Sequence, residues 1–380
     1  MKVYFDNAAT TPIDPEVIQS MVEMMENYYG NPSSIHAPGR KVRAALEEAR
    51  KTVANAIGAS LGEIFFTSGG TEANNMALKC SVRDLGVQRI ISSPIEHHCV
   101  GHVLEKLEKE NGVEVILLNV DSQGDVDLDQ LQTLLDDTSK KTLVSLMHAN
   151  NEIGNILDLD RVSKMCEAAN AYLHSDTVQT IGLLPIDVNK TKISFLSAGA
   201  HKFYGPKGIG FIYINSDNII KPYIDGGAQE RNMRGGTENV YGIVGLAKAL
   251  ELALANREAR YEQMLKVKNH FMKRLKDELV DIHFNGNQAN NSPKVLSVCF
   301  PDSPKSELLI MNLDIFGIAA SGGSACSSGI ESASHVIKAL NNDPNRMTVR
   351  FSFSYKSTTE EVDYVIEKLK MIVEAKEMVA

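Results

Sequence analysis

Between about residue 40 and residue 215, short β-rich runs alternate with amphipathic helical stretches. Strands are expected at 64–67, 89–92, 114–118, 142–147, 172–176, 193–196 and 209–214. Helical patterns fall between most of them, among them 41–57, 71–85 and 157–170. This alternation predicts an α/β fold, a mainly parallel sheet wrapped by helices. Ligands of such sheets sit beyond the carboxyl ends of the strands. A Gly-Gly loop at Gly69 and Gly70, then Asp176, then Lys202 each follow an expected strand end, as a shared site requires.

A long charged helical stretch at 240–279 is expected to link this region to a second one. Beyond it, strands are expected at 281–284, 295–300 and 348–353, and helices at 305–313, 332–340 and 358–376. The chain has 380 residues, 43% of them hydrophobic, which is too much for one compact core. The reading is a large domain over 15–255 and a smaller α/β domain over 256–380, joined by residues 1–14. A formal net charge of −9 without a long basic run argues against direct nucleic-acid binding. No secretory signal is read at the N-terminus, and no apolar run approaches the roughly 18 residues of a membrane span. The cysteines are scattered, odd in number and never in a CxxC pair, so neither a disulfide framework nor a metal site is expected. A reducing cytoplasm fits that usage.

The run Ala200-His201-Lys202-Phe203-Tyr204-Gly205-Pro206-Lys207-Gly208 holds a lysine on a tight turn after a small-residue strand. Crowding makes such an amine easier to deprotonate, which a Schiff-base role requires. Alone, a His-Lys pair in a Gly/Pro turn reads as surface. Upstream, however, a short strand ends in Asp176, with Gln179 three positions on. Pyridoxal phosphate (PLP) needs an acid at its ring nitrogen and a lysine for its aldehyde, and these two residues fill the roles. Gln179 is placed to donate to the phenolic oxygen. In Phe66-Thr67-Ser68-Gly69-Gly70-Thr71-Glu72, a strand runs through two glycines into a helix. Free N–H groups there, with the Thr71 hydroxyl, make a phosphate cradle; an ordinary helix start is the plainer alternative.

These motifs, in this order, resemble the cysteine desulfurases of the NifS/IscS type, a class-V branch of the fold-type I PLP-dependent transferases. The resemblance runs from Tyr4-Phe5-Asp6-Asn7-Ala8-Ala9-Thr10-Thr11 through Gly30-Asn31-Pro32-Ser33-Ser34 and Glu96-His97 to His148-Ala149-Asn150-Asn151-Glu152. It continues through Arg234-Gly235-Gly236-Thr237 and Ser324-Ala325-Cys326-Ser327-Ser328 to Val349-Arg350-Phe351-Ser352. It implies a mainly parallel, mixed seven-stranded sheet in the large domain, a homodimer, L-cysteine as substrate and a sulfur-acceptor protein as partner. It also implies roles by residue. Cofactor contacts fall to Gly70, Thr71, His97, Asn151, Asp176, Gln179, His201, Lys202 and Thr237, with Thr237 reaching across the dimer. Asn31, Asn151 and Arg350 hold substrate. Lys202, His97 and Cys326 carry the chemistry.

Read without the resemblance, His97 is a helix-start or turn residue, Asn151 a turn residue, and Arg350 either an internal salt bridge or a carboxylate clamp. Cys326 lies in Gly322-Gly323-Ser324-Ala325-Cys326-Ser327-Ser328-Gly329, the composition of a mobile loop. Such a loop suits a thiol that collects sulfur and hands it on, and it resembles the long-loop group of the family. Two departures stand out. Gly199 occupies a position where the family often has serine. The chain also stops at Ala380, where many relatives continue with a tail that docks a scaffold protein, so the acceptor is open. A selenocysteine lyase, another class-V aminotransferase and a non-catalytic scaffold are the competing readings.

Overall fold

The computed structural model describes residues 1–302, 308–322, 334–341, 343 and 346–374. In chain order its strands are β1 (Val3–Tyr4), β2 (Ile64–Thr67), β3 (Arg89–Ser92), β4 (Glu114–Leu117), β5 (Thr142–Ser145) and β6 (Tyr172–Asp176), followed by β7 (Phe195–Gly199), β8 (Gly210–Ile214), β9 (His283–Asn285), β10 (Val295–Cys299), β11 (Ile318–Ala319) and β12 (Thr348–Ser352). Seven of them form one sheet in the order β2-β8-β7-β6-β5-β3-β4. β8 runs antiparallel to both neighbours, and the remaining pairs are parallel. The reason is local. β7 and β8 are joined by a short turn rather than a helix, and a connection that short can only reverse the chain. That turn carries Lys202.

β2, β3 and β6 begin and end where the sequence places them. The expected strand at 193–196 instead spans Phe195–Gly199. Ser194 precedes it and pairs through its backbone with Leu173 and Asn215. The shift carries the strand to the foot of the Lys202 turn.

Helices cover both faces of the sheet. One core packs Val42, Leu46, Val53 and Ile57 with Leu246 and Leu250 against Phe66, Leu196 and Phe211. Another, on the opposite face, gathers Met76, Ala77, Cys80, Val103 and Leu104 around Phe195 and Ile212. The stretch expected as one helix over 240–279 is two, Val240–Ala255 and Arg257–Glu278, broken at Asn256. The first is apolar nearly all round because helices Pro15–Asn27 and Ala37–Ile57 pack on it. The second lays Met264, Val267, Phe271 and Leu275 into a separate core with Phe300, Phe351 and Phe353.

That separate core also takes in Val3 and Phe5. β1 pairs in parallel with β11, and β9, β10 and β12 form an antiparallel sheet in the order β12-β10-β9. The last helices are Leu309–Ile315, His335–Ala339 and Thr359–Glu374. Parts of the expected spans, at 305–307, 332–333 and 375–376, lie outside the described residues, as does Cys326. No helix among the described residues is long and apolar enough to cross a membrane.

Candidate active site

The carboxyl ends of β2, β5, β6 and β7 meet the N-terminal segment around a cavity of about 260 Å³. Gly70, Thr71, His97, Asn151, Asp176, Gln179, His201, Lys202 and Arg350 all line it. Asp176 ends β6 and is 6% exposed. Its Oδ1 accepts from Val178 N at 2.9 Å, and its Oδ2 accepts from Asn74 Nδ2 at 2.7 Å. Asn74 is aimed by His174, whose Nε2 lies 3.1 Å from Asn74 Oδ1. Complete burial pushes the His174 imidazole down to about 3, so it stays neutral.

Lys202 sits on a short 3₁₀ turn, Ala200–Lys202. Its Nζ donates to the carbonyls of Ala8 and Ala9, the latter at 2.8 Å. From below, the buried Lys294 donates through Nζ to the Lys202 carbonyl at 2.8 Å. Burial first, then the charges of Lys202 and Arg350, lowers Lys294 to about 7. Beside Lys202, the His201 Nδ1 meets Thr10 Oγ1 at 3.2 Å. Burial, with nearby lysines, lowers His201 to about 4.

Arg350 projects from β12 and is 2% exposed. Its Nη2 donates to Asp6 Oδ1 at 3.0 Å, and its Nη1 to the Asn151 carbonyl at 2.9 Å. Its Nε is buried with no partner among the described residues. Both sequence-level readings of Arg350 are therefore visible: an internal ion pair and a guanidinium edge at the cavity.

His97 caps helix His98–Asn111. Its Nδ1 accepts from Cys99 N at 3.2 Å and lies 3.0 Å from Cys99 Sγ. Burial lowers its pKa despite the Asp176 charge. Neighbouring Glu96 is fully buried and raised well above the carboxylate range by desolvation, its Oε1 accepting from Met147 N at 2.8 Å.

Helix Gly70–Leu85 starts at Gly69 with no side-chain cap. Its first N–H groups open into a recess shared by Ser68, Thr71, His201 and Lys207. A Cβ on Gly70 would come 2.5 Å from Val178 Cγ2, so only glycine lets β6 and this helix close up. Arg234 forks onto Glu72 with contacts of 2.9 and 3.2 Å, bracing that first turn.

Two expected residues lie elsewhere in the single chain. Asn31 is exposed, its Oδ1 accepting from Ser33 N at 2.8 Å, and it does not line the cavity. Thr237 is also exposed and lines a smaller pocket behind Ser68.

Residues 3–365 match the class-V aminotransferase family. A cysteine desulfurase IscS of Dictyoglomus turgidum is 42% identical over 98% of this chain and 95% of its own length. A putative cysteine desulfurase IscS 1 of Bacillus subtilis is 42% identical over 95% of this chain and 96% of its own. Among solved structures, a NifS-like protein superposes with a TM-score of 0.91 at 37% identity, covering 98% of this chain and all of that one. The chain belongs to the class-V aminotransferase family. Within it, the chain is of the NifS/IscS cysteine desulfurase type, on the fold-type I scaffold.

The cofactor of this family is PLP, and the residues fit it. Uncapped helix N–H groups suit its phosphate, and buried Asp176 suits a protonated ring nitrogen. Gln179 Oε1 is buried in the cavity wall without a partner among the described residues, while its Nε2 donates to Ala8 O at 3.0 Å. The expected donation to a phenolic oxygen therefore needs the amide turned over.

Several site residues were not assigned from sequence. Asn74 lies two residues past the quoted Gly-Gly loop, in the first turns of the helix that follows it. Ala8 and Ala9 contribute only carbonyls and gave no signal. Asp6 and Lys294 reach the site through pairings hundreds of residues apart or through tertiary burial.

At Gly199 the backbone is extended, and a Cβ would sit 3.4 Å from Gly70 N, in ordinary contact. A hydroxyl there would face the cradle. Gly199→Ser is expected to tighten PLP binding by about three- to tenfold, the scale of one hydrogen bond. Equilibrium titration of apoprotein with PLP measures it; unchanged or weaker binding would mean that position 199 faces away from the phosphate.

Proposed function

We propose that this protein converts L-cysteine to L-alanine and passes the sulfur, through a persulfide on Cys326, to an acceptor protein. The supporting observation is the convergence of Lys202, Asp176, His97 and Arg350 on one cavity, in a chain of the cysteine desulfurase type. When bound, PLP supplies an aldehyde for the amino group and a ring that draws electrons from Cα.

The protein's own residues do the rest. Arg350 offers a buried guanidinium edge to the substrate carboxylate, with Asn151 beside it. Lys202 takes the Cα proton, its amine steered by the Ala8 and Ala9 carbonyls. The Cys326 thiolate attacks the substrate sulfur. The C–S bond breaks, the S–S bond forms, and the carbon left behind takes a proton with His97 helping. Cysteine thus becomes alanine and the Cys326 thiol becomes a persulfide. The deciding experiment incubates holoprotein with L-cysteine and measures alanine and sulfide together, with and without a thiol acceptor. Absence of alanine would refute the reading.

The working unit is a homodimer. Helix Pro15–Asn27 exposes Ile18, Val22 and Met25 along one face, continued by Tyr29 and Ile35. Contiguous exposed apolar side chains mark an association surface. In a dimer, the exposed Thr237 and Asn31 have a second site to complete. Light scattering is expected to give twice the chain mass, and Met25→Glu to shift it toward monomer with loss of activity. A fully active monomer would sink this. The unpaired thiols of Cys80, Cys99, Cys166 and Cys299 suit a reducing cytoplasm.

A further inference from the structure

Cys99 lies where three parts of the cavity wall meet, and the proposed reaction leaves it without a task. Its Sγ is 3.0 Å from His97 Nδ1 and accepts from Asn74 Nδ2 at 3.1 Å, and its thiol also meets the Thr71 hydroxyl. The same Asn74 amide nitrogen bonds Asp176. Asn74 cannot turn over freely, because its oxygen is committed to His174. A continuous path therefore runs from the Asp176 carboxylate through Asn74 and Cys99 to the His97 ring.

The direction of each bond along this path follows from chemistry. Asn74 Nδ2 is a donor only, so it donates both to Asp176 and to the Cys99 sulfur. Burial, then the Asp176 charge, pushes the Cys99 thiol up to about 12, so it keeps its proton. With Asn74 and the Thr71 hydroxyl both donating to the sulfur, that proton is left for His97. The Cys99 backbone N–H reaches the same ring nitrogen at 3.2 Å. Two donors on Nδ1 leave no room for a proton there.

We propose that Cys99 is a positioning residue for His97, its thiol proton holding the imidazole in the form that carries hydrogen on Nε2. Such a ring presents an N–H group to the cavity it lines. It becomes imidazolium only by breaking the Cys99 contact, because an Nδ1–H would point at two other donors. Proton exchange at His97 thereby depends on a cysteine that takes no sulfur. The groups that face His97 are Asp176, which favours its protonation, and Lys202, His335 and His102, which oppose it. The His98 ring stands 6.3 Å away. Among the described residues, the contacts of Nδ1 are with Cys99.

The inference rests on His97 belonging to the proposed site, but its test does not need turnover. Apoprotein labelled with ¹⁵N-histidine is read by long-range proton–nitrogen correlation, with His97→Gln assigning the resonance. Wild type is expected to show an unprotonated Nδ1 and a protonated Nε2. Cys99→Ala keeps the backbone donor but removes the thiol, so it should admit some of the Nδ1-protonated form and raise the His97 pKa by about one unit, the worth of one hydrogen bond to the neutral ring. Cys99→Ser, which restores a donor, should return both values toward wild type. Unchanged signals from His148, a buried imidazole bonded to Thr180 outside this path, report an intact fold in each variant. As a measurement that needs no substitution at 99, the thiol stretching band of wild type should carry a hydrogen-bonded component that His97→Gln removes. A protonated Nδ1 in wild type, an alanine variant with unaltered His97 signals, or a thiol band indifferent to His97→Gln would overturn the proposal. Alanine formation can fail with the tautomer intact, which separates loss of the desulfurase reading from loss of this one.

Discussion

Lys202→Ala is expected to abolish alanine formation from L-cysteine, a loss on the order of 10³-fold or more. The size follows from the surroundings. The Nζ is held by two carbonyls of the N-terminal segment, and its own backbone is fixed by Lys294. Among the described residues, Lys202 is the only lysine that lines this cavity. Lys207 lines the neighbouring recess beside Thr71, so it is the natural control. Borohydride treatment of the holoprotein should fix the pyridoxyl group to Lys202, located by peptide mapping. A label on Lys207, or none, would overturn the assignment. The variant should unfold like wild type, since a 3₁₀ turn between two core strands keeps its backbone pairings.

Cys326→Ser should give the second large effect, and it separates the desulfurase from its PLP-dependent rivals. Both sides of the segment that carries Cys326 are tied to the cavity rim. On one side, Ser321 exchanges backbone bonds with Arg350 and donates to Asp6 Oδ1 at 3.0 Å. On the other, Ser334 bonds Glu152 at 2.5 Å, and His335 donates to the Glu96 carbonyl at 2.8 Å. From Ser321 to Cys326 the chain can span roughly 17 Å, so a thiol there has the reach to meet substrate. The serine variant should bind PLP and L-cysteine as wild type does, because Asp176, Thr71, Lys202 and Arg350 are untouched. It should then yield neither alanine nor an added sulfur detectable by mass spectrometry. Selenocysteine should still turn over slowly, since selenium leaves more readily. Normal alanine release from L-cysteine would move the protein to the lyase reading.

Most strands of the large sheet were legible because each is short, apolar and bounded by turn residues, but the one read at 193–196 was set too early and the make-up of the sheet came from the resemblance. β8 was placed, but its antiparallel direction depends on the length of the Lys202 turn, which no hydrophobic pattern records. Lys202, Asp176 and the Gly70 loop were legible because each ends a strand. Asn31 and Thr237 were named from motifs; the resemblance already sent Thr237 across a dimer, whereas for Asn31 it left open which chain's cavity is faced. The helical stretch at 240–279 misled for a physical reason. Its first half is apolar on every side and its second half charged, and averaging them hid the break at Asn256.

The Asp6–Arg350 contact joins residues 344 positions apart, and the bond from Asn7 to Ser352 spans 345. The segment that holds the Lys202 amine is thus among the first parts made, and the strand that fixes that segment is among the last. On a ribosome, the sheet from β2 to β8 can fold while Lys202 still lacks its final setting. The nascent chain passes through a stage with a formed cradle and no substrate clamp. Arg350 is the last of the cavity-lining residues to be made, and until β12 emerges Asp6 lacks its partner. The wall of the cavity therefore closes only when the chain is nearly complete.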